Sequence, residues 1–308
     1  MELIRGAHNL RPRHRGAVAT IGNFDGLHLG HQAVLGQLAE KGAELCLPTV
    51  AISFEPLPRE YFQGAEAPPR LQRFRDKLLA MRRFSVDRLL CLHFDRRLAE
   101  QEAADFVQEL LVDRLGVRYL VVGDDFRFGR NRSGDFQLLL EMGGRLDFHV
   151  ARMHSFQVDG ERVSSTRIRE ALGRGDMDAA QRLLGRPYRL SGRVAHGDRR
   201  GRHIGFPTAN LRLGPRPLAV RGVYAVEVFG LDNEPMPGVA NVGKRPTVDG
   251  TQNRLEVHLF DFDDDIYGRH LHVDLLGRIR DERRFESLEA LKAQIARDAE
   301  QARQLLRL

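Results

Sequence analysis

The sequence contains few cysteines, no tryptophan and no long apolar run. Its two cysteines, Cys46 and Cys91, both lie in apolar, strand-like segments, so neither a disulfide framework nor a cysteine-based metal site is expected. No stretch is long enough to span a membrane, and the basic N-terminus lacks the apolar core of a signal peptide. We therefore expect a cytoplasmic protein without a membrane partner.

No long block of charge of one sign occurs. Lys and Arg total 48 against 42 Asp and Glu, a net charge of +6, but the two signs are interspersed, as in RDERRFESLEALKAQIARD. The absence of tryptophan and of an aromatic, basic RNA-binding strand leaves few platforms on which bases could stack. We expect no nucleic-acid partner, and an RNA-binding protein remains the more distant alternative.

The distribution of apolar residues divides the chain into two domains. Up to residue 185, strand-like runs (17–21, 45–54, 88–93, 117–122 and 146–152) are interleaved with helical patterns (30–41, 70–83, 102–115 and 134–142), which predicts a parallel α/β sheet. Residues 188–280 contain short strand-like runs with Gly and Pro between them, which predicts an antiparallel barrel or sandwich, and an amphipathic helix ends the chain. We expect domains at 1–185 and 186–308.

The stretch AVATIGNFDGLHLGHQAVLGQL, from Ala17, places His28 and His31 where a strand gives way to a helix. Unpaired backbone N–H groups and the positive end of the helix dipole make this position suitable for an anion, and Gly30 allows close approach to the backbone. Metal binding would need a third ligand, and none is evident nearby. The alternative is a pair of turn histidines on a surface loop.

A second anion-binding pattern is VSSTRIREAL, from Val163. Ser164, Ser165 and Thr166 are typical N-cap residues, and Arg169 follows one turn into the helix that they begin. Hydroxyls, free N–H groups and a guanidinium then converge, which suits a triphosphate. The alternative is an ordinary capping sequence.

The second domain contains GRVAHGDRRGRHIGFPTANL, residues 192–211, which is not a Walker A loop. Its glycines, including Gly192 and Gly205, permit backbone turns around phosphate, and Thr208 and Asn210 offer oxygen ligands for a hard cation. A glycine-rich hairpin is the alternative. In RLEVHLFDF, a period of two puts Glu256 on one face with aromatic residues, a setting that favours a general base.

The first-domain motifs TIGNFDGLHLGHQ, FEPLPRE, VVGDDFRFG and VSSTRIRE resemble the FMN adenylyltransferase half of bacterial bifunctional riboflavin kinase/FAD synthetases. This resemblance implies a Rossmann-like nucleotidyltransferase domain in which His28 and His31 stabilise charge during adenylyl transfer. It implies nucleotide and phosphate contacts at Gly22, Phe24, Asp25, Gly26, Gly30, Ser164, Ser165, Thr166 and Arg169. Asp125, Phe126 and Arg127 would shape the flavin and adenine pockets, while Leu57 departs from the histidine common in this family.

The second-domain motifs GFPTANL, GVYAVEV, GVANVGKRPTV and LEVHLFDFDDDIYG resemble the riboflavin kinase module, a small antiparallel β-barrel. The resemblance implies that Thr208 and Asn210 bind Mg²⁺-ATP and that Glu256 accepts the proton of the riboflavin 5′-hydroxyl. Gly192 and Gly205 would contact the nucleotide and Arg245 the flavin. Lys244 departs from the small residue expected in its loop.

Together the two resemblances imply one enzyme that makes FMN and then FAD. Its substrates would be riboflavin, FMN and ATP with Mg²⁺, and its products FAD, ADP and pyrophosphate. One alternative is an adenylyltransferase whose barrel is only a scaffold, but the intact PTAN sequence and Glu256 argue against it.

Overall fold

The computed structural model describes residues 1–196, 205–247 and 250–308, with backbone alone at 244–247 and 250–252. The chain forms two compact units. The first comprises Met1–Pro68 and Arg73–Val163, and the second comprises Pro69–Gln72 and Ser164–Leu308. By their contacts, the helices between residues 164 and 185 group with the barrel, although the sequence pattern assigns them to the first domain.

The first unit is built on a six-stranded parallel sheet with the strand order β1-β4-β3-β2-β5-β6. The strands are β1 (Glu2–Arg5), β2 (Ala17–Ile21), β3 (Thr49–Glu55), β4 (Arg88–His93), β5 (Val117–Gly123) and β6 (His149–Met153). The predicted parallel sheet is confirmed. Sequence analysis missed β1 because this four-residue strand buries only Ile4 and carries charged residues at both ends.

Helices cover both faces of this sheet. They are α1 (Leu29–Glu44), α2 (Pro58–Gln63), α3 (Phe74–Met81), α4 (Arg96–Glu100), α5 (Ala103–Phe106), which continues as a π-helical segment over Val107–Arg114, and α6 (Phe136–Leu146). Ala19 of β2 packs in a core with α5 and α6, whereas its neighbour Val18 packs in a core with α1 and α3. Because both faces are buried, the strands read as continuous apolar runs. A short hairpin of β7 (Gln157–Val158) and β8 (Glu161–Arg162) follows β6.

The second unit begins with α7 (Ser165–Arg174) and α8 (Met177–Leu184) and continues into a closed antiparallel barrel. The barrel strands are β9 (Tyr188–Ala195), β10 (Ala209–Arg212), β11 (Gly222–Phe229), β12 (Met236–Thr247), β13 (Gly250–Leu259) and β14 (His270–Arg280), and the terminal helix is α9 (Leu288–Leu306). Their order around the barrel is β10-β13-β12-β11-β14-β9. The structure therefore has the barrel rather than the sandwich.

Helix α9 packs on one face of the barrel strands. Its Ala302 joins Val223 and Val239 in a buried cluster. The buried carboxylate of Asp298 accepts from Arg280 Nη2 of β14 at 2.8 Å and also from Arg280 Nε at 3.0 Å. This two-point ion pair fixes the orientation of α9 above the strands.

Two adjacent glycines of α6 offer a test of packing in the first unit. A Cβ added at Gly143 would lie 2.5 Å from the Phe148 carbonyl oxygen, whereas one added at Gly144 would meet no atom within 4 Å. We expect Gly143→Ala to destabilise the unit by roughly 1–3 kcal/mol because the backbone must move. Gly144→Ala should stabilise it by roughly 0.5–1 kcal/mol through helix propensity. Urea unfolding followed by circular dichroism measures both, and shifts of the same sign would contradict this account.

Candidate active sites

The segment Gly22–Gly30, which joins β2 to the first turn of α1 and which we call the histidine loop, has a backbone that few residues adopt. Gly22 N–H donates to the Ile52 carbonyl at 3.0 Å and prolongs the strand pairing. Phe24 and Leu27 then take left-handed φ angles of 48° and 44°, and Gly26 one of 88°. Such angles strain residues with a side chain, and the complete burial of Phe24 and Leu27 offsets that strain.

His28, at the end of this loop, and His31, in the first turn of α1, lie against each other. His28 is the N-cap of α1, and its Nδ1 accepts the His31 backbone N–H at 3.3 Å. In the neutral ring this bond leaves the proton on Nε2, so His28 can donate from Nε2. The two rings stack with centroids 3.7 Å apart, and the Phe24 ring meets His31 edge-on at 5.3 Å. A side chain at position 30 would press on the His28 ring at 3.3 Å, which explains Gly30.

The electrostatic surroundings keep His31 neutral. Burial, the neighbouring His28 and the charge of Lys77 together hold the pKa of His31 well below its ordinary value of 6.5. Its Nδ1 is buried and has no protein partner within hydrogen-bonding distance. A neutral imidazole carries one N–H donor, so His31 can donate to an incoming phosphate oxygen without a prior change of charge. Asp25, in the same loop, is also buried.

Lys77 is a residue that the sequence analysis missed. It lies on α3 and is 1 % exposed, and its Nζ donates to the Asn23 carbonyl at 2.6 Å and to Ser53 Oγ at 3.3 Å. Sequence reading could not find it because RLQRFRDKLLAMRR is indistinguishable from a solvated amphipathic helix.

The loop after β5 contains Asp125, Phe126 and Arg127, which are predicted to shape the flavin and adenine pockets. Asp125 pairs with Arg162 at 2.5 Å, and Arg127 pairs with Asp135 at 2.9 Å. The Phe126 ring stacks on Phe128, with centroids 5.3 Å apart. Because β5 pairs with β2 in the parallel sheet, this loop and the histidine loop emerge at the same edge.

The N-terminus of α7, in the second unit, is capped as predicted. Ser164 Oγ accepts the Arg167 N–H at 3.3 Å, and Ser165 and Thr166 form the first turn. Arg169 Nε donates to the Pro69 carbonyl at 2.6 Å, so its guanidinium is held by the short segment 69–72 of the same unit.

In the barrel, Asn210 and Glu256 are direct cross-strand partners between β10 and β13. Glu256 is also opposite Asn241 of β12. Arg254, which sequence analysis missed, donates from Nε to Asn210 Oδ1 at 3.0 Å and forms an ion pair through Nη2 with Glu256. This arginine therefore holds the predicted base and the predicted metal ligand together.

Two cavities flank Thr208. The larger, of about 400 Å³, contains Glu256. Its walls are Phe206, Asn241, Arg254, His258, Phe285 and the α9 residues Leu291 and Ile295, among others. The smaller, of about 240 Å³, is lined by Thr208, Val194, Tyr267 and the acidic run 263–265. His258 Nδ1 donates to the Pro207 carbonyl at 2.9 Å and so fixes the backbone next to Thr208.

Three further positions of the barrel were predicted to contact substrates: Gly192, Gly205 and Arg245. The structure contradicts the turn predicted at the first, agrees with the turn at the second and does not describe the side chain of the third. The turn expected at Gly192 is absent, because this residue lies inside β9, where a Cβ would contact Leu211 and Arg212 of β10 at 3.0 Å. Gly205 does adopt a left-handed φ of 84°. The Arg245 side chain and residues 197–204 lie outside the described part of the chain. The period of two in RLEVHLFDF also predicts Phe262 on the Glu256 face, but β13 ends at Leu259 and Phe262 lines the smaller cavity instead.

The donor groups present suit a cation held largely by its nucleotide. Within the described residues, no group of three or more His, Cys, Asp or Glu side chains could hold a metal ion. Thr208 and Asn210 offer neutral oxygen atoms, and Mg²⁺ typically combines one or two protein ligands with phosphates and water. The residues thus fit an ion delivered with ATP.

Two family models match the chain. The model described as FAD synthetase matches residues 10–167, and the model described as riboflavin kinase matches residues 184–306. The chain is 51% identical over 309 residues to the bifunctional riboflavin kinase/FMN adenylyltransferase of Escherichia coli K12, covering 100% of this chain and 99% of that protein. It is 51% identical over 306 residues to the protein of the same name from Pseudomonas fluorescens, covering 99% and 98%.

A solved structure shares the whole fold. The crystal structure of a protein named as a macrolide-efflux protein from Streptococcus pneumoniae superposes with a TM-score of 0.82 and 31% identity, covering 98% of this chain and 99% of that chain. In the part of the present chain that is described, no helix has the length and apolarity that crossing a membrane requires.

Proposed function

The chain belongs to the bifunctional riboflavin kinase/FMN adenylyltransferase family, and we propose here how its residues carry the two reactions. The protein phosphorylates riboflavin to FMN and transfers an adenylyl group to FMN to form FAD. Both are transfers from ATP, and enzymes of both kinds need a divalent metal ion. We infer that the metal ion is Mg²⁺ and that the two domains divide at residue 185.

For the kinase, riboflavin occupies the larger cavity, where Phe206 and Phe285 supply apolar surface for a flat ring system. ATP occupies the smaller cavity. The observation that carries this proposal is that Thr208 borders both cavities, so the γ-phosphate and the 5′-hydroxyl meet there. Glu256 accepts the hydroxyl proton, the oxygen attacks the γ-phosphorus, and ADP leaves.

Thr208 and Asn210 hold Mg²⁺ together with the ATP phosphates. When bound, the ion neutralises the charge on the phosphates. Arg254 Nε donates to Asn210 Oδ1, so this oxygen would serve both the arginine and a bound cation. Arg254 also keeps the Glu256 carboxylate directed into the cavity through their ion pair.

For the adenylyltransferase, the loop from Gly22 to Gly30 receives the α-phosphate. An oxygen of the FMN phosphate attacks the α-phosphorus in line, and pyrophosphate leaves, so no protein nucleophile is required. His28 donates from Nε2, and neutral His31 bonds to the phosphate, so both stabilise charge as it develops. Ser165, Thr166 and Arg169, at the capped start of α7, hold the β- and γ-phosphates.

Four further residues are assigned to the flavin and adenine pockets from their positions in the chain. Asp125, Phe126 and Arg127 follow β5 at the sheet edge that also carries the histidine loop, and we assign them to the flavin and adenine pockets. Arg245 is assigned to the flavin site of the kinase. The FAD synthetase model ends at residue 167 and the riboflavin kinase model begins at 184, which supports a functional division near residue 185.

One time course tests both halves. The purified chain is incubated with riboflavin, ATP and Mg²⁺, and the flavins are separated by chromatography. We expect FMN first and FAD later, and no product after chelation of Mg²⁺ with EDTA. FMN without FAD would contradict the assignment of the histidine loop. FAD from added FMN but no product from riboflavin would contradict the assignment of the barrel.

A further inference from the structure

Lys77 is a buried charge to which neither reaction gives a role. Lysine occurs at only four positions in this chain, against 44 arginines, so a lysine is an unusual choice of cation here. At 1 % exposure it is fully removed from solvent. Burying an ammonium is costly unless the group is bonded, and lysine is almost never fully buried without a partner.

The hydrogen bonds of Lys77 join three elements of the first unit. Its Nζ reaches from α3 to the Asn23 carbonyl at 2.6 Å and to Ser53 Oγ of β3 at 3.3 Å. Ser53 Oγ bonds to the same carbonyl at 3.4 Å. Asn23 immediately precedes Phe24, the first of the two left-handed non-glycine residues of the histidine loop. The ammonium therefore anchors the loop at the point where its strained backbone begins.

We propose that Lys77 is a positioning residue for adenylyl transfer, which holds the Gly22–Gly30 loop, through the Asn23 carbonyl, in the shape that presents His28 and His31 to the phosphate. This inference rests on the proposed adenylyl-transfer site. A lysine suits the task because its compact head can donate to two closely spaced oxygens in a space that a planar guanidinium would not fill in the same way.

The charge of Lys77 has a second consequence. The charged groups that act on His31 among the described residues are His28, in the same turn, and Lys77, on α3. Both disfavour an imidazolium, in addition to burial. Lys77 therefore helps to keep His31 neutral as well as holding the loop.

The test uses the full chain, with its kinase activity as an internal control. Lys77→Met keeps the length of the side chain and removes both the charge and the donors. We expect the kcat of FMN adenylylation to fall by as much as about 100-fold, as for a displaced catalytic loop. Riboflavin phosphorylation should be unchanged. Resistance to urea should change little, because the substitution removes the desolvation cost of the buried ammonium together with its hydrogen bonds to Asn23 and Ser53. Lys41→Met, which changes a partly exposed lysine on α1, is the matched control.

A second readout separates positioning from mere structural support. Histidine-selective ¹³C NMR should show the pKa of His31 rising in Lys77→Met but not in Lys41→Met, and Lys77→Arg should recover part of the activity. Adenylylation within twofold of the unmodified chain would overturn the inference. So would a loss of activity that parallels a loss of stability, or an unchanged titration of His31. If the unmodified chain forms no FAD from FMN, the proposed site itself is wrong and the inference falls with it.

Discussion

Replacing Glu256 by glutamine should abolish riboflavin phosphorylation and leave the conversion of added FMN to FAD intact. Glutamine keeps the size of the side chain and can still bond to Arg254, but it cannot take a proton from the 5′-hydroxyl. A general base contributes on the order of 10²–10⁴ in rate. The kcat for FMN formation should fall within that range, while the KM for riboflavin changes little because the cavity walls are unaltered. Chromatography of the flavins formed from riboflavin, and separately from FMN, measures both reactions.

The matched control for this prediction is Glu227→Gln, on β11 of the same barrel. Glu227 lies in neither of the two cavities described, so its replacement should leave both activities unchanged. Equal loss of both activities in Glu256→Gln would show that the two sites are not independent. Retention of phosphorylation in that variant would assign the proton to another acceptor, and the Glu256 role would be wrong.

Much of the fold could be predicted from the sequence because the two domains use different periodicities. Continuous apolar strands with helices between them specify a parallel sheet, and five of its six strands are evident from the sequence. Short strands with Gly and Pro between them specify an antiparallel domain, although the choice of barrel over sandwich came from the family resemblance. Strand β1 could not be predicted, since one buried residue in four gives no pattern.

Some residues of the candidate sites could likewise be predicted from the sequence, and others could not. Residues in contiguous motifs, such as His28 with His31 or Thr208 with Asn210, are visible because their spacing in the chain reflects one local structure. Lys77 and Arg254 are not visible. Lys77 reaches the histidine loop from a helix some 50 residues farther along the chain, and Arg254 meets Asn210 across a strand pair. Only the fold brings such residues together, and both resemble ordinary surface charges in the sequence.

The lowered pKa of His31 could not be predicted from the sequence either. A histidine in a glycine-rich loop could be exposed and titrate normally. In the structure, its stacking on His28, its burial and the charge of Lys77 lower the pKa of His31. The chemical role of a residue thus depends on neighbours that the motif does not contain.

Replacing His31 by alanine should let FMN accumulate from riboflavin without FAD. The imidazole lies between His28 and Phe24, and its loss removes one hydrogen-bonding group from the phosphate site together with the stacking that holds His28. Loss of a group that stabilises transition-state charge typically costs on the order of 10²–10³ in rate. The ratio of FMN to FAD over time, measured by chromatography, reports the effect directly.

His149→Ala is the control for this variant, because His149 is exposed at the start of β6, at the opposite end of the sheet from the histidine loop. It should form FAD at the unmodified rate. FAD formation by His31→Ala at a rate close to that of the control would exclude His31 from the transfer step. Loss of FMN formation as well would point to a fault in folding rather than in catalysis.

The pH dependence of stability provides an independent check on the state of His31. Its folded-state pKa is lower than the ordinary value of 6.5, so the unfolded chain binds a proton more readily than the folded one. The resulting stabilisation is fully present above pH 6.5 and is lost as the pH falls below that value. His31→Ala removes this dependence, so the free energies of unfolding of the two chains should draw closer together between pH 7 and pH 5. Parallel curves over that interval would show that His31 titrates normally, and the neutral imidazole assigned to the transfer step would then be wrong.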